Sequence, residues 1–241
     1  MPQKQHHRGK HPEDDRLFDA RWLPVLRKAV ADLSFLYGRG YSETAAAKLT
    51  GDHYQLDVRQ RRAVRAAACG DAALERRRMH EAVAEDMADA VVAIDGYNLL
   101  IVVESALSGG VLFRGRDGCV RDLASVHGSY RRVDETFLAI HRIGYTLSRL
   151  EIRRALWYLD APVSNSGRLK QYLSEEAAKS AWRWDIMTVI NPDAVLASAE
   201  HIVATSDGWI LDRAGKWFNL AAAVVRDLTP EPPILDIGAV E

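Results

Sequence analysis

Residues 91–100 read VVAIDGYNLL. Four apolar residues with no polar alternate describe a strand with no solvated face, the pattern of a parallel sheet covered on both sides. The strand runs directly into Asp95 and then into Gly-Tyr-Asn. An isolated buried carboxylate is costly, so Asp95 must neutralise a cation or meet water at a cleft.

Working outward, the chain after residue 90 alternates strands and helices. NLLIVVESALSGG reads as a helix or apolar turn closed by glycines, and VLFRGRDGCVRD as a loop or hairpin. Val133, Phe137, Ile140, Ile143, Leu147 and Leu150 mark a long amphipathic helix. ALWYLD (155–160), DIMTVINPD (185–193) and HIVATSD (201–207) are further strands, with a helix from Arg168 to Ala181 between the first two. Phe218 to Val225 is expected to supply a last strand, followed by an irregular proline-rich tail. This alternation predicts a three-layer α/β fold around a parallel sheet. Asp95, Asp160, Asp193 and Asp207 each close a strand-like run. In a parallel sheet those ends share one edge, where ligands bind. A single acid there is usually a cap or turn former, but four are harder to assign to capping. Clustered carboxylates repel, which raises their pKa values or calls for a cation. Mg²⁺ or Mn²⁺, hard ions with oxygen ligands, suit such a cluster.

Before residue 90 the pattern is helical. Residues 1–15 are polar and expected to be disordered, with His6, His7 and His11 solvated. Trp22, Val25, Leu26, Ala29, Val30, Leu33 and Leu36 recur at helical spacing up to Gly38 and Gly40. A second helix is expected from Ser42 to Gly51, a third capped by Asp57 and a fourth capped by Asp71. The organisation is thus a tail (1–15), a helical domain (16–88) and an α/β domain (89–241). AAAKLTGD followed by VRQRRAVRAA resembles a helix-turn-helix, with Arg59, Arg61, Arg62 and Arg65 placed for phosphates. The competing reading, a helical bundle with a solvated arginine face, is preferred.

Composition sets the bounds. The chain has 241 residues, 48% of them apolar, and a formal net charge of −1. That is enough for a substantial core plus an appendage and gives no global field for nucleic acid or anionic membrane. Lys and Arg number 16 against 14 Asp and Glu in residues 1–90, and 16 against 19 beyond. Cys69 and Cys119 form no metal pattern and suggest a reducing compartment. With no signal-peptide core and no apolar run of about 18 residues, a soluble cytoplasmic protein without membrane partners is expected. No phosphate-loop lysine motif is present, and GRGY lacks the spacing of a dinucleotide fingerprint.

IDGYNLL (94–100) resembles the opening motif of PIN-like nucleases, particularly the NYN branch and its bacterial relatives. LDAP (159–162) resembles their second acidic strand, NPDAVL (191–196) their acidic helix start, and TSDGWIL (205–211) their Thr-Ser-Asp turn. The likeness covers about residues 90–225. The whole chain also resembles a prokaryotic family that joins a helical N-terminal domain to a PIN-like domain. This resemblance implies a PIN-like, Rossmann-like sheet and Mg²⁺- or Mn²⁺-dependent phosphodiester hydrolysis, with RNA favoured over DNA. It implies Asp95 as central metal ligand, Asn98 as its polar neighbour, and Asp207 and Asp193 as further ligands. Asp160 belongs to the same catalytic set, and Asp212 is either a further ligand or a solvent-facing residue. Asn-Pro before Asp193 and the insertion FRGRDGCVRD depart from the family pattern.

Such a site needs no Ser, Cys or His nucleophile. SNSGRLK (164–170) offers Ser164, Asn165, Ser166 and Arg168 at a helix start, a good phosphate environment. HGSYRR (127–132) adds His127, Tyr130, Arg131 and Arg132. Trp182, Trp184, Trp209 and Trp217 are expected in the core or at its rim, with Trp209 the one placed to do more; His141 is expected to be structural. The leading reading is therefore a nuclease whose helical domain binds substrate or partner. A non-catalytic nucleic-acid-binding or regulatory protein is the alternative, and a small-molecule phosphoesterase the third. The sequence leaves room for a homo-oligomer.

Overall fold

In the computed structural model, which describes residues 7–124 and 128–239, the N-terminal part is helical. Its helices are α1 (Asp14–Leu17), α2 (Leu23–Gly38), α3 (Glu43–His53), α4 (Val58–Ala67) and α5 (Asp71–His80). Asp57 and Gln60 form a reciprocal capping box that starts α4. Two expected boundaries move. Helix α3 runs through Gly51 to His53, and a side chain at Gly51 would collide with Arg61, so this glycine serves close packing rather than termination. Gly70, not Asp71, is the cap of α5.

Then follow β1 (Val91–Asp95), α6 (Gly96–Leu107), β2 (Leu112–Arg114), β3 (Val120–Asp122), α7 (Thr136–Arg149), β4 (Arg154–Asp160) and α8 (Ser166–Lys179). The chain continues through β5 (Trp184–Val189), α9 (Pro192–Ala197), β6 (Ile202–Ala204), α10 (Gly208–Leu211), β7 (Trp217–Phe218), α11 (Leu220–Arg226) and β8 (Ile234–Asp236). The expected final strand is corrected. Only Trp217 and Phe218 are extended; Asn219 accepts a hydrogen bond from the Ala222 N–H and turns the alanine-rich LAAAVV into a helix. The proline-rich tail also holds a strand, β8, paired in parallel with β2.

The main sheet is wholly parallel, in the order β5-β4-β1-β6-β7. In chain order its strands read third, second, first, fourth, fifth, so the winding reverses between β1 and β6. Val92 and Ile94 of β1 face a core with Leu100, Ile140, Trp157, Leu169 and Val224, drawn from α6, α7, β4, α8 and α11. Ala93 points to the opposite face, where Leu196, Ile210, Leu211 and Trp217 form a smaller cluster. Both faces of β1 are covered, which is why its sequence shows no alternation.

The boundary at residue 89 is less sharp than expected. The hairpin β2–β3 and β8 form a second sheet whose Phe113, Leu123 and Ile237 enter the helical core with Leu26, Val30, Leu33 and Val64. The N-terminal segment is corrected too. His6 lies outside the described residues, but Arg8 is buried on Glu104 and Asp14 on Arg59. Residues 7–15 are therefore tied to the fold at both points. His7 meets Glu135, and His11 stays exposed.

Candidate functional site

The acids collect where the winding reverses. Asp95 ends β1, Asp160 ends β4, Asp193 opens α9 after β5, and Asp207 follows β6. Helix α9 carries Asp193 inward from the sheet edge, because α9 packs on β1, β4 and α10. Strand ends at such a reversal point form the usual ligand crevice of parallel sheets.

The four carboxylates act on one another. Asp95 is half-buried, and burial together with Asp207 and Asp193 raises its pKa to about 7, against the opposing pull of hydrogen bonds. Asp193 is exposed at the rim, and its pKa is raised by desolvation, Asp207 and Asp160. Asp160 has a buried Oδ1 with no hydrogen-bond partner. The Tyr97 hydroxyl is likewise buried and unpartnered, and burial plus Asp160 pushes it up to about 12. The residues are coupled without being gathered around one point. Among the described residues, no group of three or more His, Cys, Asp or Glu is set to hold a metal ion, including Asp95, Asp193 and Asp207.

The Thr-Ser-Asp turn is tightly braced. Thr205 Oγ1 donates to Asp95 Oδ2 (2.8 Å) and accepts the Asp207 N–H (3.0 Å). Asn98 Oδ1 accepts both the Ser206 N–H and the Ser206 hydroxyl, each at 2.9 Å. Asn98 is therefore a turn-holding residue through its oxygen. Asp207 is exposed and uses Oδ1 to cap α10, accepting the N–H groups of Trp209 and Ile210.

The arginine- and glycine-rich insertion supplies bracing that the sequence did not reveal. Arg121 Nε donates to the Ser206 carbonyl at 2.8 Å, and Arg77 donates to the Gly208 carbonyl at 3.1 Å, on either side of Asp207. Both guanidinium groups converge on Asp117, at 2.6 to 2.8 Å. All three side chains are buried. The two arginines hold the Asp117 carboxyl well below the usual carboxylate range, overcoming its burial. Asp212, considered a ligand candidate, instead accepts from Arg77 Nε at 2.7 Å. The charged residues of this stretch are visible in the sequence, but their partners lie far along the chain, on α5 and in the turn before α10.

Two cavities contain predicted site residues. One of about 720 Å³ is lined by Arg131, Arg132, Asn165, Arg168 and Tyr172. It brings two separately predicted stretches together, joined by a bridge between Ser129 and Ser164. Ser164 serves that bridge and Ser166 donates to the Ala161 carbonyl, so neither lines the cavity. Asn165 adopts a left-handed backbone and donates to the Tyr130 carbonyl. His127 lies outside the described residues. The other cavity, about 1040 Å³, lies between the helical part and the sheet and includes Asn98, Asp207, Trp209, Arg62 and Arg213.

The remaining sequence expectations divide. Of the helix-turn-helix arginines, Arg59 pairs with Asp14, Arg61 with Asp52 and Arg65 with Glu43, which fits the helical-bundle reading. Trp217 is fully buried, Trp182 stacks on Trp184, and His141 meets Glu176 at 3.1 Å. Trp209 is 47% exposed, with the Arg213 guanidinium 4.0 Å from its ring centre. Cys69 and Cys119 are both free and buried. Among the described residues no helix is long and apolar enough to cross a membrane.

Fold and site together define a parallel α/β protein with an acidic crevice at its winding reversal and a helical N-terminal unit. The chain belongs to the family described as "Domain of unknown function (DUF5616)", whose profile matches residues 84–223. A second profile, "Protein of unknown function (DUF434)", matches residues 25–80. These spans coincide with α2–α5 and with the stretch from just before β1 into α11. The chain is 29% identical over 186 residues to "Uncharacterized protein MJ0935" of Methanocaldococcus jannaschii, covering 77% of this chain and 88% of that protein. No solved structure matches.

Proposed function

We propose that the protein is a Mg²⁺- or Mn²⁺-dependent nuclease with a PIN-like site, acting on RNA in preference to DNA. The observation that carries this reading is the coupled crevice, where Asp207 and Asp193 help raise Asp95 to about 7. The donors' chemistry suits a hard cation, with four carboxylates of which one has an orphaned buried oxygen, but no three of the described acids surround one point, so binding would require them to draw together. Asp95, Asp193 and Asp207 would hold the ion, with Asp160 beside them. Such an ion supplies an activated water and neutralises charge on the phosphodiester.

The chain's own residues do the rest. Thr205 orients Asp95, Asn98 and Arg121 fix the turn that presents Asp207, and Arg77 closes its other side. Arg131 and Arg168 line the bay with Asn165 and Tyr172 and would meet phosphate there. The test is cleavage of mixed RNA and DNA substrates by purified protein with Mn²⁺, beside an Asp95 variant. Cleavage by wild type alone supports the reading. No cleavage of either substrate, with binding retained, leaves a non-catalytic nucleic-acid-binding protein.

Asp95 also gives a stability prediction. Its pKa rises from the ordinary 3.8 to about 7 on folding. The native state thus retains a proton that the unfolded chain releases, and stability falls as pH rises from about 4 to 7. Asp95→Asn should flatten this slope and leave the apo protein no less stable at pH 8. Mn²⁺ should raise the wild-type Tm by mass action but not that of the variant. An equal Mn²⁺ shift in both would remove Asp95 from the ligand set.

A further inference from the structure

The bay gathers three exposed arginines, Arg131, Arg132 and Arg168, around a single acid, Glu175. The buried arginines find carboxylates, Arg8 on Glu104 and both Arg77 and Arg121 on Asp117, whereas those of the bay are exposed. In the bay, Arg131 and Arg168 have no side-chain partner among the described residues, and Arg132 lies 4.4 Å over the Tyr172 ring. The one acid there, Glu175, already accepts a hydrogen bond from Gln171. Water and salt screen the repulsion among these exposed groups, and together they make a favourable place for an anion.

The bay adjoins the crevice through covalent and packed neighbours. Val163 donates to the Asp160 carbonyl, and Tyr130 packs on Tyr97 with ring centres 5.4 Å apart. The interdomain cleft lies on the other side, reached at Asp207 and Asn98. In the sheet, β1 stands between β4 and β6. The bay, Asp160, Asp95, Asp207 and the cleft therefore follow one another along the sheet edge. From β4 to β6 is two inter-strand spacings, about 10 Å, a span that one extended strand can bridge with phosphates on both sides. In the cleft Arg62 has no partner among the described residues, Arg65 is paired only loosely with Glu43 at 3.6 Å, and Trp209 offers an exposed ring. Glu43, Asp122, Asp207 and Asp212 also line that cavity, which makes it less cationic than the bay.

We propose that one single-stranded polynucleotide crosses the carboxylate crevice, from the arginine bay at Arg131, Arg132 and Arg168 to the interdomain cleft at Arg62 and Trp209. This rests on the nuclease reading for the nature of the ligand and adds its path, its length and a role for the helical unit. The protein then grips the interior of a strand rather than an end or a free nucleotide. Combined cationic and aromatic surfaces of this kind bind single strands with little sequence preference.

The test is fluorescence anisotropy with the full-length protein in EDTA, using labelled single-stranded RNA and DNA of about 3, 6 and 12 nucleotides and a 12-base-pair duplex. Affinity should climb steeply with length, and the single strand should outcompete the duplex. Arg168→Ala and Arg62→Ala should each weaken the 12-mer by about threefold to tenfold and each shallow the salt dependence by about 0.7 in log–log slope. Both side chains are exposed, so thermal melting should be unchanged, and Arg168→Glu and Arg62→Glu should weaken binding further. A 12-mer bound no tighter than a 3-mer, a preference for duplex, or an effect confined to one of the two arginines would overturn the path. Because cleavage plays no part in this measurement, the path and the nuclease reading fail separately: a bound but uncut strand sinks only the latter.

Discussion

Asp207→Asn is expected to reduce cleavage in Mn²⁺ by about two orders of magnitude or more, the scale on which loss of a catalytic electrostatic group is felt. The same substitution should leave single-strand binding equal or tighter, since a negative charge next to the phosphates has gone. The structure makes this substitution informative. Asp207 uses Oδ1 to cap α10, and the asparagine amide oxygen can accept the same two bonds. The turn is also held by Asn98, Thr205, Arg121 and Arg77 independently of the Asp207 charge. Loss of turnover with an unchanged Tm therefore isolates the carboxylate. Retained turnover in Asp207→Asn would remove it from the catalytic set.

The largest stability effect is expected at Asp117. Asp117→Asn keeps the shape but leaves Arg77 and Arg121 buried against a neutral amide. Breaking a buried pair in this way costs about 3–5 kcal/mol, a fall in Tm of roughly 10 °C for a chain of this size. Urea unfolding and thermal melts followed by circular dichroism measure it. The sign of the pH dependence follows from the depressed pKa of Asp117. The unfolded chain takes up a proton near pH 4 and the native site does not, so this contribution is present at neutral pH and is lost only in strong acid. The variant should lose that acid-range slope. Since Arg77 and Arg121 hold the carbonyls beside Asp207, turnover should fall as well. An Asp117→Asn protein as stable as wild type would mean that the two arginines find another partner.

A related expectation concerns the N-terminal segment. Glu104 is fully buried and accepts hydrogen bonds from Arg8, Tyr130 and Thr136. Arg8 also donates to the Arg131 carbonyl at 2.7 Å, so the segment steadies the backbone that carries the bay arginines. Arg8→Ala should lower the Tm and weaken binding of a 12-mer together. Unchanged melting and binding would reduce Arg8 to a surface contact.

By itself the sequence determined the elements whose signals are local. VVAID was legible as a doubly covered strand, DVRQ as a helix start and the run from Val133 to Leu150 as an amphipathic helix, because apolar period and capping chemistry act over a few residues. It also placed Asp95 and Asp160 at strand ends and Asp207 just beyond one, on one sheet edge since parallel strands share a direction, whereas Asp193, expected to close a strand over 185–193, lies in α9 because β5 stops at Val189 and Asn191 caps a helix. It misread Leu220–Arg226, where Asn219 capping outweighed an apolar run that suits either element. Only the tertiary structure decided the strand order, the reversal between β1 and β6, and the passage of α9 that carries Asp193 inward. It alone joined Arg8 to Glu104, 96 residues away, and Arg77 to Asp117, 40 residues away. Those pairings leave no periodic trace. A buried charge is stabilised by whichever opposite charge the packing delivers, and the chain positions of the two partners are otherwise unrelated.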